Sequence, residues 1–120
     1  MRHKNSISSY ILLKTEVLLH MVIQDLDIQN VVISKLGGYD GYKISFSVNH
    51  QSYILLAGKQ KTIFPLSIKH AFIEKEKCQF CNKLVFKSAI SQQICLNLLL
   101  KKSDLLSYFQ QNYPEPFEQI

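Results

Sequence analysis

The residues best suited to chemistry in this sequence are two cysteines three positions apart, Cys78 and Cys81. Two thiolates at this spacing can bind one zinc ion, and Cys95 with His70 can complete a tetrahedral set. A structural zinc site usually presents its second pair of ligands at close spacing too, which His70 and Cys95 do not. Free cysteine most often packs as a small buried apolar residue. We therefore favour three ordinary thiols with no metal or cofactor, and keep the four-residue zinc site as the alternative hypothesis.

The sequence gives little support for catalysis. A redox-active cysteine pair needs its first thiol at a helix N-terminus, whereas a tract rich in lysine and glutamate, residues 74–77, precedes Cys78. The glycine-rich turn at residues 37–41 lacks the spacing of a phosphate-binding loop. There is also no nucleophile elbow and no closely spaced carboxylate pair. We expect a small binding protein without enzymatic activity.

Lysine is the most conspicuous charged residue. The chain carries a net charge of +5, and Arg2 is its single arginine, so base-specific reading of duplex DNA is not expected. Between Lys59 and Lys102 there are nine lysines and only two acidic residues. If these lysines gather on one face with Tyr53, Phe80 or Phe86 nearby, they form a surface that can contact a phosphate backbone. The alternative is that they simply surround the domain. The candidate nucleic-acid or polyanion contacts are Lys59, Lys61, Lys69, Lys75, Lys77, Lys83 and Lys87.

A second functional hypothesis rests on the leucine-rich C-terminal region. Leucines between Leu98 and Leu106 occupy nearly all sides of the predicted last helix, more than one covering layer requires. The alternative function is therefore a protein–protein adaptor or homodimeric accessory protein that uses this helix or a sheet edge. Its candidate contacts are Leu99, Leu106, Phe109 and, in the glycine-rich loop, Tyr39.

The clearest structural signal is the alternation of apolar and polar residues from Tyr42 to Asn49, which predicts a strand. Returning strands follow at residues 53–57 and 62–64, so the pattern predicts an antiparallel meander. Ser67 is a predicted N-cap for a short helix that ends near Lys75, and residues 79–86 form a predicted strand. The last helix begins at Ser88 or Ser91 and is expected to break near Lys102.

These elements predict an α+β fold, with two or three helices in one layer over a small, mainly antiparallel sheet. Residues 1–112 form a single domain, and residues 113–120 are a frayed tail. Residues 8–26 have apolar residues at helical spacing, and a strand over residues 17–23 is the alternative, so the segment is left as helix or strand. No segment has the pattern of a signal peptide or membrane span, so we expect a cytoplasmic protein with reduced thiols. We expect the partner to be nucleic acid, another protein or a second copy of the chain.

Overall fold

The centre of the fold is a four-stranded antiparallel meander. The computed structural model describes residues 22–37, 40–86 and 93–118. The strands lie in the order β1-β2-β3-β4, with bounds Ile28–Lys35, Gly41–Val48, Gln51–Lys59 and Ile63–His70. A second sheet pairs β5 (Glu76–Lys77) with β6 (Leu84–Val85). A 3₁₀ turn at Ile23–Asp25 precedes β1, and the helices α1 (Leu96–Leu99), α2 (Lys102–Asn112) and α3 (Glu115–Glu118) follow. The predicted α+β class is confirmed.

Strands β2 and β3 form because their alternation buries one complete face. The four apolar residues from Tyr42 to Val48 that point to this face are all buried. Asn49 and His50 join the two strands as a two-residue turn, and both have positive φ, 49° and 70°. Such a turn matches the right-handed twist of the strands it connects. The turn therefore fixes the register that places Val48 opposite Gln51.

Helix α2 covers the inner face of the sheet and completes the core. Its buried residues are Leu105, Leu106 and Phe109. The ring of Phe109 lies 5.2 Å from that of Phe46, a distance at which tilted aromatic rings pack favourably. In α3, within the segment predicted to be frayed, the Phe117 ring lies 5.0 Å from that of Tyr42. The helices thus form one layer on one side of the meander.

The predicted helix after Ser67 is wrong, because β4 continues through this region to His70. Ile68 and His70 pair opposite Leu55 and Tyr53, which places both side chains on the buried face. A register shift lies between Leu56 and Ala57 of β3, and it accommodates Pro65, opposite Ala57, within this edge strand. Pairing with β3 outweighed the weak local preference for a helical turn.

The prediction of a strand over residues 79–86 is also wrong for most of its length. Residues 79–81 form a turn, and within the predicted strand only Leu84–Val85 is paired, with Glu76–Lys77. The predicted break near Lys102 is confirmed, since α1 ends at Leu99 and α2 begins at Lys102. The predicted helix starts at Ser88 and Ser91, and most of the ambiguous segment 8–26, lie outside the described residues. Within the described residues, no helix has the length and apolar character needed to cross a membrane.

Candidate metal centre

The fold brings together the four residues of the zinc hypothesis. The ligand-type atoms of His70, Cys78, Cys81 and Cys95 all lie within 4.8 Å of one another. Cys78 Sγ is 3.9 Å from Cys95 Sγ, and Cys81 Sγ is 3.4 Å from His70 Nε2. A zinc ion about 2.3 Å from each sulfur holds tetrahedral sulfur neighbours about 3.8 Å apart. The spacing of the side chains is therefore close to that of a Cys₃His zinc site, and shifts of about 1 Å or less would complete it.

Cys78 and Cys81 are positioned by the tight turn between β5 and β6. The Cys78 amide donates to Lys83 O, and the Asn82 amide donates to Cys78 O, both at 2.9 Å. Asn82 has a φ of 63°, in the left-handed region that asparagine tolerates better than most residues. The Phe80 amide points at Cys78 Sγ at 3.3 Å, so the turn also donates a hydrogen bond to one sulfur. The two sulfurs lie within 4.8 Å of each other as a result.

His70 and Cys95 are positioned by a contact that the sequence does not reveal. An antiparallel bridge joins Lys69 to Ile94, next to the end of β4. The amides of His70 and Cys95 donate across this bridge to Gln93 O at 2.9 Å and to Ile68 O at 3.1 Å. This pairing brings His70 and Cys95 together beside the two cysteines of the turn, although His70 and Cys95 are 25 positions apart in the chain.

The imidazole of His70 is oriented by its second ring nitrogen. Nδ1 lies 2.7 Å from Gln93 O, a carbonyl oxygen that can only accept. A neutral ring therefore carries its proton on Nδ1 and leaves Nε2 unprotonated, 3.4 Å from Cys81 Sγ. Metal-binding histidines commonly hold their free nitrogen in this way.

The electrostatics of the cluster favour one thiolate. The pKa of the Cys78 thiol is lowered, chiefly by the hydrogen bond that it shares with Cys95, and contacts from His70 and Tyr53 act in the same direction. The pKa of Cys95 is raised, because its proton is held in that bond and because the side chain is buried. Burial also raises the pKa of Cys81. The thiolate is the form of cysteine that binds zinc.

A buried polar network clamps the hairpin to the sheet. Gln51 Nε2 donates to Lys77 O at 2.7 Å and to Glu76 Oε2 at 2.9 Å, while its Oε1 accepts from the Gln79 amide at 2.9 Å. The Tyr53 hydroxyl lies 3.0 Å from Gln51 Oε1 and 3.3 Å from Cys78 Sγ. The pKa of Tyr53 is raised well above its ordinary value, mainly by burial. Gln51 and Tyr53 thus position the cysteine turn.

Sequence reasoning missed Gln51 and Tyr53 as positioning residues. A glutamine at the start of a strand is ordinarily a solvated residue, and nothing in its spacing relates it to residues 76–79. One available signal is the alternation itself, which continues from Tyr53 back to Gln51 and so places a polar side chain on the buried face.

The surroundings of the four side chains are closed and apolar. Cys95, Cys78 and His70 are 0%, 1% and 3% exposed, and Cys81 is half-buried. The rings of Phe72 and Tyr53 lie 5.2 and 5.9 Å from the His70 ring, and the Phe80 ring lies 5.7 Å from that of Tyr53. Four protein ligands in an enclosed position are typical of structural zinc, whereas catalytic zinc keeps a position for water or substrate.

The candidate lysines do not form one continuous surface among the described residues. Lys59 ends β3 and Lys61 follows it, while Lys75, Lys77 and Lys83 lie in or beside the hairpin that contacts the start of β3. The eight steps from Gln51 to Lys59 correspond to about 26 Å of strand. Lys69 faces outward between these ends, opposite Ile54, and Lys87 lies outside the described residues.

Two of the three aromatic residues proposed beside the lysines cannot contact a partner in this fold. Tyr53 and Phe80 are buried in the core, and Phe86 alone of the three is exposed.

The candidate contacts of the adaptor hypothesis are divided in a similar way. Leu106 and Phe109 are core residues, because α2 turns them toward the sheet, so their proposed role in a partner surface is not supported. Leu99 is half-buried, and Tyr39 lies outside the described residues.

Comparison of the chain with protein-family models, with curated proteins and with solved structures gives no match. The functional argument therefore rests on the residues and their geometry.

Proposed function

We propose that this protein is a non-enzymatic zinc-binding domain, in which one ion bound by His70, Cys78, Cys81 and Cys95 holds the small hairpin to the rest of the fold. The role of the ion is structural. It joins the end of β4, the β5–β6 turn and the residue that precedes α1.

One observation carries the proposal: four soft or borderline ligand atoms converge within 4.8 Å from three separate parts of the chain. Three sulfurs and one imidazole nitrogen suit zinc better than magnesium or calcium, which prefer oxygen ligands. Burial of apolar thiols does not by itself explain why three of them lie beside one histidine, or why the second ring nitrogen of that histidine is held by a carbonyl oxygen as in metal sites. The convergence therefore favours the zinc hypothesis over the three ordinary thiols favoured from the sequence.

A disulfide between Cys78 and Cys95 is the competing chemistry, since their sulfurs are 3.9 Å apart. That bond would require the sulfurs to approach to about 2.05 Å. It would also leave Cys81 and His70 facing each other without a shared partner. Zinc uses all four side chains, so we prefer it.

The test is metal content together with cobalt substitution. Full-length protein is purified under reducing conditions without chelator, and zinc is measured by elemental analysis, with an expected stoichiometry of one ion per chain. Replacing the zinc with Co²⁺ should give the visible bands of tetrahedral coordination and near-ultraviolet thiolate-to-cobalt charge transfer.

The matched variants separate ligands from bystanders. Cys81→Ser should weaken the charge-transfer band because one of three thiolates is lost. His50→Ala should leave metal content and spectrum unchanged, because His50 is exposed at the β2–β3 turn. A wild-type protein that contains no zinc and takes up no Co²⁺ under these reducing conditions would contradict the proposal.

A further inference from the structure

The β5–β6 hairpin has two unlike faces. Glu76 pairs with Val85, and this face turns toward the sheet, since Val85 is buried and Glu76 accepts from Gln51. Lys77 pairs with Leu84 on the opposite face. We call this opposite side, with its continuation in Lys75 and Phe86, the outer hairpin face.

The outer hairpin face combines a flat aromatic ring with positive charge. Phe86 is 50% exposed and Leu84 is 52% exposed, so both side chains are accessible to a partner. Lys75 Nζ lies 5.9 Å from the centre of the Phe86 ring, so a cation and the aromatic face are already adjacent. Lys77 on the same face and Lys83 in the turn are also exposed.

The two acidic residues of the segment do not cancel this charge on the outer face. Glu76 belongs to the inner face, where its carboxylate accepts a hydrogen bond from Gln51 at 2.9 Å. Glu74 lies before the paired region and is exposed. The outer hairpin face itself therefore presents two lysines and no carboxylate.

We propose that the outer hairpin face binds single-stranded nucleic acid, with one base stacked on Phe86 and the adjacent phosphates contacted by Lys75 and Lys77. Stacking on an exposed aromatic ring tolerates any base, and lysines act as point charges along a backbone. An acidic protein segment would use the lysines, but it offers a planar group to Phe86 only where an aromatic or arginine side chain falls at the right position, whereas every nucleotide carries a base beside its phosphate. The aromatic ring therefore decides between these occupants.

The inference rests on the proposed function in one respect, because the ion holds the hairpin that carries this face. The binding surface and the ligand set share no residue, so each can be removed without the other.

The experiment measures binding of the full-length protein to a fluorescein-labelled 12-nucleotide oligothymidine by fluorescence anisotropy at several salt concentrations. Phe86→Ala should weaken binding about 5- to 150-fold, the range for loss of one stacked base. Lys75→Gln/Lys77→Gln should lower the slope of log affinity against log salt by about 1.4, since each phosphate contact on a single strand contributes about 0.7.

Matched controls change the same chemistry elsewhere. Leu100→Ala removes an apolar side chain that is 71% exposed, and Lys35→Gln/Lys43→Gln removes two exposed lysines of the main sheet. Both controls should bind as the wild type does. Equal affinity of Phe86→Ala and Leu100→Ala, or equal binding of a 12-residue polyglutamate and the oligothymidine, would overturn the proposal. So would absence of wild-type binding at low salt.

Zinc content and melting temperature of each variant are measured in parallel. Phe86→Ala should retain the metal content of the wild type, so its loss of affinity reports on the surface alone. If the wild type holds no zinc but binds the oligothymidine through Phe86, the surface proposal stands and the metal proposal fails.

Discussion

Replacement of Cys95 by alanine offers the sharpest test of the metal centre. Cys95 is fully buried and supplies one of four proposed ligands, from a segment that is otherwise joined to β4 by two backbone hydrogen bonds. We expect Cys95→Ala to remove most of the stabilisation that zinc gives to the wild type. The quantity of interest is the difference between the melting temperatures with zinc and with chelator.

The expected size follows from linkage between binding and folding. When free zinc is 100 times its dissociation constant, binding stabilises the folded state by about 2.7 kcal/mol. For a domain of this size, 1 kcal/mol shifts the melting temperature by about 4 °C, so the wild type should melt about 11 °C higher with zinc than with chelator. Cys95→Ala should reduce this difference to less than about 3 °C, because three ligands hold zinc much less tightly than four.

The assay is thermal unfolding by circular dichroism, with reductant present throughout. Loss of the Cys95 sulfur also weakens packing, but that cost is present in both conditions and cancels in the difference. Leu98→Val serves as the control, since Leu98 is equally buried three residues away and is not a proposed ligand. It should lower both melting temperatures and preserve the zinc-dependent difference.

The reasoning would be refuted by a wild type whose melting temperature is the same in zinc and in chelator. A Cys95→Ala variant that keeps the full zinc-dependent difference would remove Cys95 from the ligand set.

Three further predictions concern the residues that shape the hairpin and the sheet. Gln51→Ala should lower the free energy of unfolding in urea by about 2–4 kcal/mol, because it leaves the Gln79 amide and the Lys77 carbonyl without their partner. A loss below about 0.5 kcal/mol would show that these hydrogen bonds are dispensable. Asn82→Val should lower the free energy of unfolding by about 1–3 kcal/mol, because a β-branched residue is strained at a φ of 63°. Asn82→Gly should be close to neutral, since glycine adopts positive φ readily. Equal losses for the two variants would argue against the left-handed turn. Gly41→Ala should lower the melting temperature by several degrees, since an added Cβ would lie 2.5 Å from the backbone oxygen of Ala57; an unchanged value would mean that the two strands are further apart than described.

The sequence determined the central hairpin of the sheet. Alternation from Tyr42 to Val48 and from Tyr53 to Ala57 leaves one consistent way to bury apolar side chains, and the polar residues 49–52 indicate the turn between them, although β3 itself begins at Gln51. These signals are local, so a reader of the sequence can find them without knowing the rest of the fold.

Residues 67–70 show where local signals fail. A serine followed by apolar residues at helical spacing resembles a helix start, yet β4 runs straight through it. The strand is stabilised by β3 on one side and by the bridge at Lys69 on the other, and neither partner is visible in the local sequence. With the helix prediction in place, His70 had no reason to face Cys78.

The chemistry of the candidate metal centre was present in the sequence, but its assembly was not. Residue types alone identified the four candidate ligands, His70, Cys78, Cys81 and Cys95. The wide separation of His70 from Cys95 in the sequence argued against a zinc site. The bridge between β4 and residue 94 removes that objection, because it makes distant residues neighbours in space. Ligand type is a property of each side chain, whereas a metal site needs distances between side chains. Only the tertiary structure decided those distances.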